Sequence, residues 1–596
     1  MFKHAFAAAV IVCILIAAGR AGADEINFSG ILSHKTAYKG GVVYSDEGTV
    51  RTADTSEIAS LAAKCSSKGI KSGIDAHTCC EFLIDMYKGH GVFRKGISSD
   101  EPADPVTSAN AFMAIGENYG SMQQPLKSKA DGVINDILKT KAEPMLSKFA
   151  SNEHIEKDGV KAPAWLIDGR GDASSLYLIA ICRSDKLSSS HKDIIKMLAE
   201  GIRSFTNLKY AEFPFCAHYE SIDRPNLFTL SANRQSEALC LAGKRLGDKS
   251  YTNSARAEAD NFSIYLLSSY GPICGMAPAP VIYPQTSHGA MVFTENLAAI
   301  GESLGENSYM KLAGLASSWF YKGNLSGKNI YDPKTGKASD CLTQEGPSVR
   351  HTAKAAAEAI SAIVSIYGTE GWKYRTYTAA APSHAFKILQ AEEGKAVRKD
   401  YEITSIEYPG DQNGSLVEIK RENSFWIKVS IDEDDEYAFH LCYLKQMGFG
   451  TSTSILMRID GDKIYSVPLG GSPDDAYMFM QEVLERRVLQ TGLHSMGIKF
   501  SGLLLGKAAT LDCVTLQPLA QRKTFIGEDG NMISIVKSFH SDDIKYDASK
   551  LEKDGMEAVS CSIYSNGFIK TEAVSKDSAV RLPSYGHIIF EGRKKQ

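Results

Sequence analysis

Side chains that can transfer protons or bind sugars are concentrated in four segments of this 596-residue chain. The segments span residues 163–172, 212–235, 275–295 and 323–351. Together they hold carboxylates, imidazoles, guanidinium groups and aromatic rings: Trp165, Asp168, Arg170, Asp172, His218, Tyr219, Glu220, Arg234, His288, Asp340, Glu345, Arg350 and His351. Aromatic rings can stack on a sugar and charged groups can bind its hydroxyls, so this mixture favours a polyhydroxylated ligand.

The carboxylates of these segments are candidates for acid–base catalysis: Asp168, Asp172, Glu220, Asp340 and Glu345. Hydrolysis of a glycosidic bond with inversion needs a general acid and a general base on opposite faces of the sugar, about 6.5–9.5 Å apart. We expect one of them to be Asp168 or Asp172 and the other Glu345 or Asp340, with Glu220 as a further candidate. The residue types do not assign the two roles. The other members of the set are candidates for substrate binding: Trp165, Arg170, His218, Tyr219, Arg234, His288, Arg350 and His351.

Some of these residues have structural interpretations that fit the sequence equally well. Asp172 directly precedes an apolar helical pattern and can cap that helix. Asp168 can form an ion pair with Arg170. The three histidines lie at equivalent connections, but nothing in their spacing supports a metal site.

A repeated helical hairpin positions these segments. The hexapeptide LGDKSY at 246–251 recurs as LGENSY at 304–309, 58 residues later (glycine 247 to glycine 305), and each copy lies between two helical patterns. A fixed period of this length indicates an array of like units, each too small to bury its own apolar face. Weaker copies, with apolar residues at three- and four-residue steps, extend the array to six hairpins near 55–90, 107–140, 172–206, 233–268, 294–322 and 352–381.

Six hairpins suffice to close a ring, and a ring predicts where the site lies. The turns within hairpins lie at one rim, and the connections between hairpins lie at the other. The four chemically rich segments are all connections, so we expect them to meet at one mouth. Long connections on a rigid scaffold are where binding residues concentrate.

The pattern changes to short strands from about residue 386. Segments rich in β-branched and aromatic residues are separated by Gly, Asp, Asn or Pro turns, which indicates an antiparallel β-sandwich. Strand-like pieces continue to the C-terminus. The predicted architecture is therefore multidomain, α then β: a toroid of helical hairpins at 24–385, a β-sandwich at 386–520 and a small β-rich extension at 521–596.

The first 23 residues are typical of a secretory signal peptide. Lys3 and His4 precede an apolar run at 5–18, and the sequence AGA at 21–23 is an A-x-A cleavage site. We therefore expect a secreted or cell-surface protein. No later segment is continuously apolar over the roughly 20 residues that a membrane span needs. The net charge of −4 does not indicate the basic surface that is typical of nucleic-acid-binding proteins.

The helical half resembles the six-hairpin glycosidase superfamily, whose members are (α/α)6 toroids. The resemblance is carried by ANRQSEALCLAGKRLGDKSY (232–251), YPQTSHGAMVFTENLAAIGESLGENSYMKLAGLASSWF (283–320) and IYDPKTGKASDCLTQEGPSVRHTAKAAAEAISAI (330–363). It implies the toroid fold and a carbohydrate as substrate or ligand. We expect no cofactor for catalysis.

The strand-rich segment resembles a carbohydrate-binding module of the galactose-binding-like β-sandwich type. ILQAEEG at 388–394 opens it, and GLHSMGIKF at 492–500 with LDCVTLQP at 511–518 closes it. The resemblance implies a structural calcium ion held by Glu392 and Asp512, since hard oxygen ligands suit that ion.

Three functions agree with these observations. The first is a secreted glycoside hydrolase that acts on a poly- or oligosaccharide. The second is a polysaccharide lyase, because β-elimination from a uronate needs charge neutralisation with a His or Tyr base and acid, which Asn233, Arg234, His218, Tyr219 and His288 can supply. The third is a non-catalytic glycan-binding protein, whose mouth carboxylates would be too far apart or engaged in salt bridges.

Overall fold

The computed structural model describes residues 26–595 with internal gaps. The positions outside the description are 1–25, 47, 158–159, 208–216, 224–226, 229–232, 268–275, 278–284, 325, 344–345, 381–383, 385–386, 392–393, 397–401, 409–411, 421–423, 446–448, 462–464, 469–476, 483–485, 504–507, 539, 541, 565–567, 576–577, 585 and 596. The predicted signal peptide therefore lies outside the described residues.

The helices are concentrated in the first two thirds of the chain. Those in the described residues are α1 Ser29–Leu32, α2 Thr52–Ser67, α3 Ala76–Asp85, α4 Pro105–Asn118, α5 Leu126–Ile137, α6 Glu143–Ala150, α7 Gly171–Arg183, α8 Asp185–Ser190, α9 Lys192–Ser204, α10 Gln235–Leu246, α11 Lys249–Leu267, α12 Ser287–Leu304, α13 Asn307–Ser317 and α14 Ala353–Ile366.

Six of these described helices contact one another in a closed order. The order is α2, α4, α7, α10, α12 and α14, and α14 contacts α2 again. Each of the six also contacts a helix that follows it in the chain: α3, α5, α9, α11, α13 and the 3-10 helix Glu370–Tyr374. The N-terminal halves of α2, α12 and α14 meet at one rim, where Glu57 and Glu358 both approach His288. At the opposite rim, Lys68 at the end of α2 contacts Glu302 in the last turn of α12.

The repeated hexapeptide ends one helix and begins the next. Gly247 and Gly305 are the C-cap residues of α10 and α12, with φ of 70° and 69°. Glycine adopts this left-handed conformation without steric cost. Four residues before the second cap, a Cβ on Gly301 would lie only 3.0 Å from Met310 Cγ, so glycine lets the two helices of the hairpin approach closely.

Two helix boundaries differ from the sequence-based expectation. Helix α12 begins at Ser287 rather than near residue 294, because the Thr286 side chain accepts a hydrogen bond from the Gly289 amide over 3.1 Å. Thr294 lies inside the helix, where its hydroxyl donates to the Ala290 carbonyl over 2.8 Å. The sixth hairpin returns through a short 3-10 helix rather than through an α-helix near 371–380.

Most strands lie in the last third of the chain. Those in the described residues are β1 Lys35–Tyr38, β2 Gly41–Tyr44, β3 Tyr87–Gly89, β4 Val92–Gly96, β5 Ser99–Pro102, β6 His154–Lys157, β7 Val160–Pro163, β8 His218–Tyr219, β9 Leu227–Phe228, β10 Met276–Ala277, β11 Gln285–Thr286, β12 Cys341–Thr343, β13 Gly346–Pro347, β14 Thr378–Ala379, β15 Lys387–Gln390, β16 Lys395–Ala396, β17 Glu402–Tyr408, β18 Gln412–Lys420, β19 Phe425–Ile431, β20 Asp435–Lys445, β21 Phe449–Ile459, β22 Tyr465–Pro468, β23 Tyr477–Glu482, β24 Arg487–Leu489, β25 Gly492–Leu503, β26 Ala508–Pro518, β27 Ala520–Ile526, β28 Asn531–Ser538, β29 Ile544–Asp547, β30 Met556–Tyr564, β31 Phe568–Ala573, β32 Ala579–Leu582 and β33 His587–Lys594. The order α then β is confirmed.

Two antiparallel sheets share one hydrophobic cluster. The first has the order β17-β18-β26-β20-β23, with β15 paired to β26 and β24 paired to β20, and the second has the order β16-β19-β25-β21-β22. Leu441, Tyr443 and Leu511 of the first sheet are buried in the same cluster as Ile455 and Phe500 of the second. Alternate residues of these strands thus point into a common core.

A third sheet packs against the helices. Its order is β14-β27-β28-β33-β30-β31. Phe525, Ile533 and Ile589 on this sheet belong to the same hydrophobic cluster as Trp319 of the helical half. Strand β14 follows the last hairpin in the chain, so this sheet joins the end of the helical half to the C-terminal segment.

The contact between the third sheet and the helices predicts a pH-dependent stability. Burial lowers the pKa of His587 to about 4, while Asp260, 3.7 Å away, opposes the shift. An unfolded histidine has a pKa of about 6.5. Because the folded state binds fewer protons between these values, stability is complete above pH 6.5 and falls by up to about 3 kcal/mol as the pH approaches 4. Denaturant unfolding at several pH values measures this loss.

The matched variant for this test is His587→Phe, which keeps a ring on Tyr564, now stacked 5.0 Å from the imidazole. We expect it to flatten the decline between pH 6.5 and 4. An unchanged slope in the variant would show that His587 is not the titrating group.

Candidate functional site

Arg170, Asp172 and Glu220 form one ion-pair cluster at the start of α7. Arg170 Nε and Nη2 donate to the two carboxylate oxygens of Asp172 over 3.0 and 2.7 Å, and Nη2 also donates to Glu220 Oε1 over 2.9 Å. Burial lowers the pKa of Arg170, but the two carboxylates together raise it above its usual range. The Gly171 amide donates to the Glu220 carbonyl over 2.8 Å, which joins two of the predicted connections. Two candidate catalytic carboxylates therefore lie side by side on one cation.

Asp168 and Trp165 have other partners. Asp168 has φ of 54°, and its carboxylate accepts a hydrogen bond from Lys141 Nζ over 2.6 Å, so the expected pair with Arg170 is replaced by a pair with Lys141. Trp165 is 3% exposed, and its indole N–H donates to the Met197 carbonyl over 3.2 Å. A ring buried to this degree packs the core and has no open face for a sugar.

His218 and Tyr219 are also buried. His218 Nδ1 lies 3.1 Å from Glu258 Oε1, and both side chains are completely buried. The Tyr219 ring packs on Phe205, with the ring centroids 5.1 Å apart. Neither side chain reaches the mouth in this arrangement.

The last connection brings exposed groups to the same rim. Asp340 is 31% exposed at its side chain, and Arg350 Nη1 lies 3.8 Å from its carboxylate. The Ser287 amide donates to the Asp340 carbonyl over 2.9 Å, so Asp340 lies beside the first turn of α12. Arg350 and His351 are exposed. Glu345 lies outside the described residues.

A cluster that sequence reasoning largely missed lies at the N-terminal rim of the ring. His288, in the first turn of α12, has Nδ1 3.3 Å from Glu358 Oε1 and 3.8 Å from Glu57 Oε1. The two glutamate side chains are 5% exposed, whereas the imidazole is 38% exposed. Lys354 Nζ lies 3.8 Å from Glu358 Oε1. We call Asp54, Glu57, His288, Lys354 and Glu358 the mouth cluster.

The electrostatics of the mouth cluster favour proton transfer. Burial raises the pKa of Asp54 by more than Lys354 and Arg51 lower it. The pKa of Lys354 is raised, chiefly by Glu358. A carboxyl group shifted towards its protonated form beside a lysine held in its charged form is the kind of pairing found at acid–base sites.

A buried ion network adjoins the mouth cluster. Arg234, the N-cap residue of α10, contacts Glu237 at 3.0 Å, Glu57 at 3.8 Å and Glu295. Lys64 also contacts Glu295. The pKa of Arg234 lies well above its usual range because these carboxylates outweigh the effect of burial. Arg234 is therefore a buried cation that supports Glu57, with no surface for a substrate.

The two residues assigned to calcium are only partly described. Glu392 lies outside the described residues, and Asp512 is described only as a position in β26. Within the described ranges, no group of three His, Cys, Asp or Glu side chains is arranged to hold a metal ion. Among the described helices, none has both the length and the apolar character needed to cross a membrane.

Comparisons with known proteins give matches only among solved structures. No protein-family model matches the chain, and no curated protein does. A GH26-CBM35 β-(1,4)-mannanase of Podospora anserina is 13% identical over 22% of this chain and 27% of its own length, with a TM-score of 0.17. A family 35 carbohydrate-binding module of Clostridium thermocellum is 13% identical over 22% of this chain and 97% of its own length, also with a TM-score of 0.17.

A third similar structure is an exo-β-1,3-galactanase of Phanerochaete chrysosporium. It is 16% identical over 22% of this chain and 29% of its own length, with a TM-score of 0.17. This chain thus spans about a quarter of the length of the two enzymes that it matches. A likeness of this extent assigns neither a family nor a function to the whole chain.

Proposed function

We propose that this protein is a secreted carbohydrate-active enzyme that hydrolyses glycosidic bonds in a poly- or oligosaccharide. In this proposal residues 24–385 form a six-hairpin (α/α)6 toroid. Residues 386–520 form a carbohydrate-binding-module-like β-sandwich, which binds a calcium ion through Glu392 and Asp512. Residues 521–596 form a β-rich extension. The observation that carries the proposal is the mouth cluster, in which α2, α12 and α14 bring two buried glutamates, a lysine and an imidazole to one open rim.

Asp54 and Glu358 are the proposed acid and base. Burial raises the pKa of Asp54, which suits a group that must donate a proton to the leaving oxygen. Glu358 lies on the neighbouring helix and contacts both His288 and Lys354. Asp340, beside the first turn of α12, is a further carboxylate at this rim.

The Arg170 cluster has a positioning role in this proposal. Its two carboxylates share one guanidinium group, and a backbone hydrogen bond holds Glu220 against the start of α7. The cluster thereby fixes two connections that border the mouth. Loops fixed in this way can orient a substrate without taking part in proton transfer.

A polysaccharide lyase is the second candidate, and the exposed imidazole of His288 favours it. Its Nδ1 faces two buried glutamates, while the side chain is 38% exposed. A histidine oriented by a carboxylate is a suitable general base for removing a proton next to a uronate. Lys354 at the same rim can neutralise the uronate charge.

The reaction products distinguish these candidates. The purified protein is incubated with a panel of neutral and uronate-containing polysaccharides, and both new reducing ends and ultraviolet absorbance are recorded. Hydrolysis gives reducing ends alone, whereas elimination also gives unsaturated uronates that absorb. Binding without either product would support the non-catalytic function and contradict both enzymatic proposals.

A further inference from the structure

We infer that a second cavity, separate from the mouth cluster, binds an anionic oligosaccharide. The cavity has a volume of about 970 Å³ and is lined by residues from 26–32, 71–73, 321–334 and 372–376, with Glu528. This volume is typical of a ligand site. The choice of a sugar as the ligand rests on the proposed function, whereas the preference for an anion rests on the cavity itself.

Positive charge dominates the lining. Lys71, Lys322 and Lys334 line the cavity, and the lining includes one carboxylate, that of Glu528. In the part of the chain that the structure describes, none of the three lysines forms an ion pair with a carboxylate. Unneutralised cations that converge on one cavity attract an anionic ligand and disfavour a cationic one.

An aromatic platform lies beside these cations. The Arg375 guanidinium is 3.9 Å from the centroid of the Trp372 ring, and its Nη1 donates to the Trp372 carbonyl over 2.8 Å. Tyr321 adds a second ring to the lining. The three lysines beside these rings are donors for a carboxylate or a sulfate. Rings and anion donors together match a sugar that carries one of these groups.

Hydrogen bonds between distant segments preform one wall of the cavity. Asn27 Nδ2 donates to the carbonyls of Pro333 and Lys334 over 3.2 and 2.8 Å. The Asn27 amide donates to the Tyr331 hydroxyl over 3.1 Å, and that hydroxyl donates to the Asn27 carbonyl over 3.0 Å. A wall that is already ordered reduces the entropic cost of binding.

Calorimetric titration on a Glu358→Gln background tests this site, because that substitution prevents cleavage at the mouth from consuming the probe. The probes are tetragalacturonate, a heparin-derived tetrasaccharide and neutral cellotetraose. We expect the double variant Lys322→Gln/Lys334→Gln to weaken binding of at least one anionic probe on the order of tenfold. Binding of that probe should also weaken as salt is added.

The matched control is Lys129→Gln/Lys545→Gln, which removes two exposed lysines outside the cavity. An equal loss in this control, equal affinity for cellotetraose, or no binding of either anionic probe would each overturn the inference. A protein that binds an anionic probe through Lys322 and Lys334 but cleaves no polysaccharide would contradict the proposed function and leave the cavity assignment standing.

Discussion

Replacing Glu358 with glutamine is expected to lower the turnover of a cleaved polysaccharide by about 10²–10⁴-fold, the range for loss of a general acid or base. Glutamine keeps the size of the side chain but removes the charge that His288 Nδ1 faces at 3.3 Å and Lys354 at 3.8 Å. The measurement is kcat on the best substrate of the panel, with thermal unfolding to show that the variant is folded.

The control for this prediction is Glu302→Gln at the opposite rim. Glu302 also forms an ion pair with a lysine, Lys68, over 3.1 Å, but it lies at the last turn of α12, away from the mouth cluster. We expect wild-type turnover in this variant. If Glu358→Gln retained wild-type turnover as well, Glu358 would not be the base and the site would have to be sought elsewhere.

The variant Asp54→Asn should show whether Asp54 acts as the general acid or has only a structural role. Asparagine cannot donate a carboxyl proton, so a substrate with a poor leaving group should lose turnover by about 10²-fold or more. A substrate whose leaving group needs no protonation should be cleaved at nearly the normal rate. Equal losses on both substrates would contradict the role of Asp54 as the acid.

The helical hairpins could be predicted because their signals are local. Gly247 and Gly305 end their helices through a left-handed backbone that few other residues tolerate. Each hairpin that ends its first helix in this way needs a glycine at the same position, so the glycine recurs in the sequence. The expectation that the polar connections meet at one rim came from the alternation of turns and connections.

Except for His288, the mouth cluster was missed because its residues lie inside helices. Glu57, Lys354 and Glu358 interrupt small and apolar residues, and charged residues in such a pattern usually face solvent. Only the packing of α14 against α2 and α12 brings these helix faces together. A signal was present, since a glutamate and a lysine four residues apart stand within an alanine-rich helix that is otherwise buried.

The partners of Arg170 depended on backbone conformation as well as on charge. The sequence predicts a pair of Asp168 with Arg170 and gives Asp172 a role as a helix cap or a catalytic carboxylate. The positive φ of Asp168 accompanies its contact with Lys141, while the first turn of α7 leaves Asp172 next to the guanidinium group. Glu220 joins them from 50 residues away, which no local pattern indicates.

Arg234→Met is expected to destabilise the protein by about 3–5 kcal/mol, the cost of leaving buried carboxylates without their cation. Burial raises the pKa of Glu295, yet Arg234 and Lys64 hold it well below its usual range, so this carboxylate depends on both cations. Denaturant unfolding gives the free-energy change, and Arg203→Met is the control, since the exposed pair of Arg203 with Glu200 should contribute about 0–1 kcal/mol. Because Arg234 also contacts Glu57, the variant should lose activity even under conditions where it remains folded. A change in unfolding free energy no larger than that of the control would mean that the network is not a support of the ring.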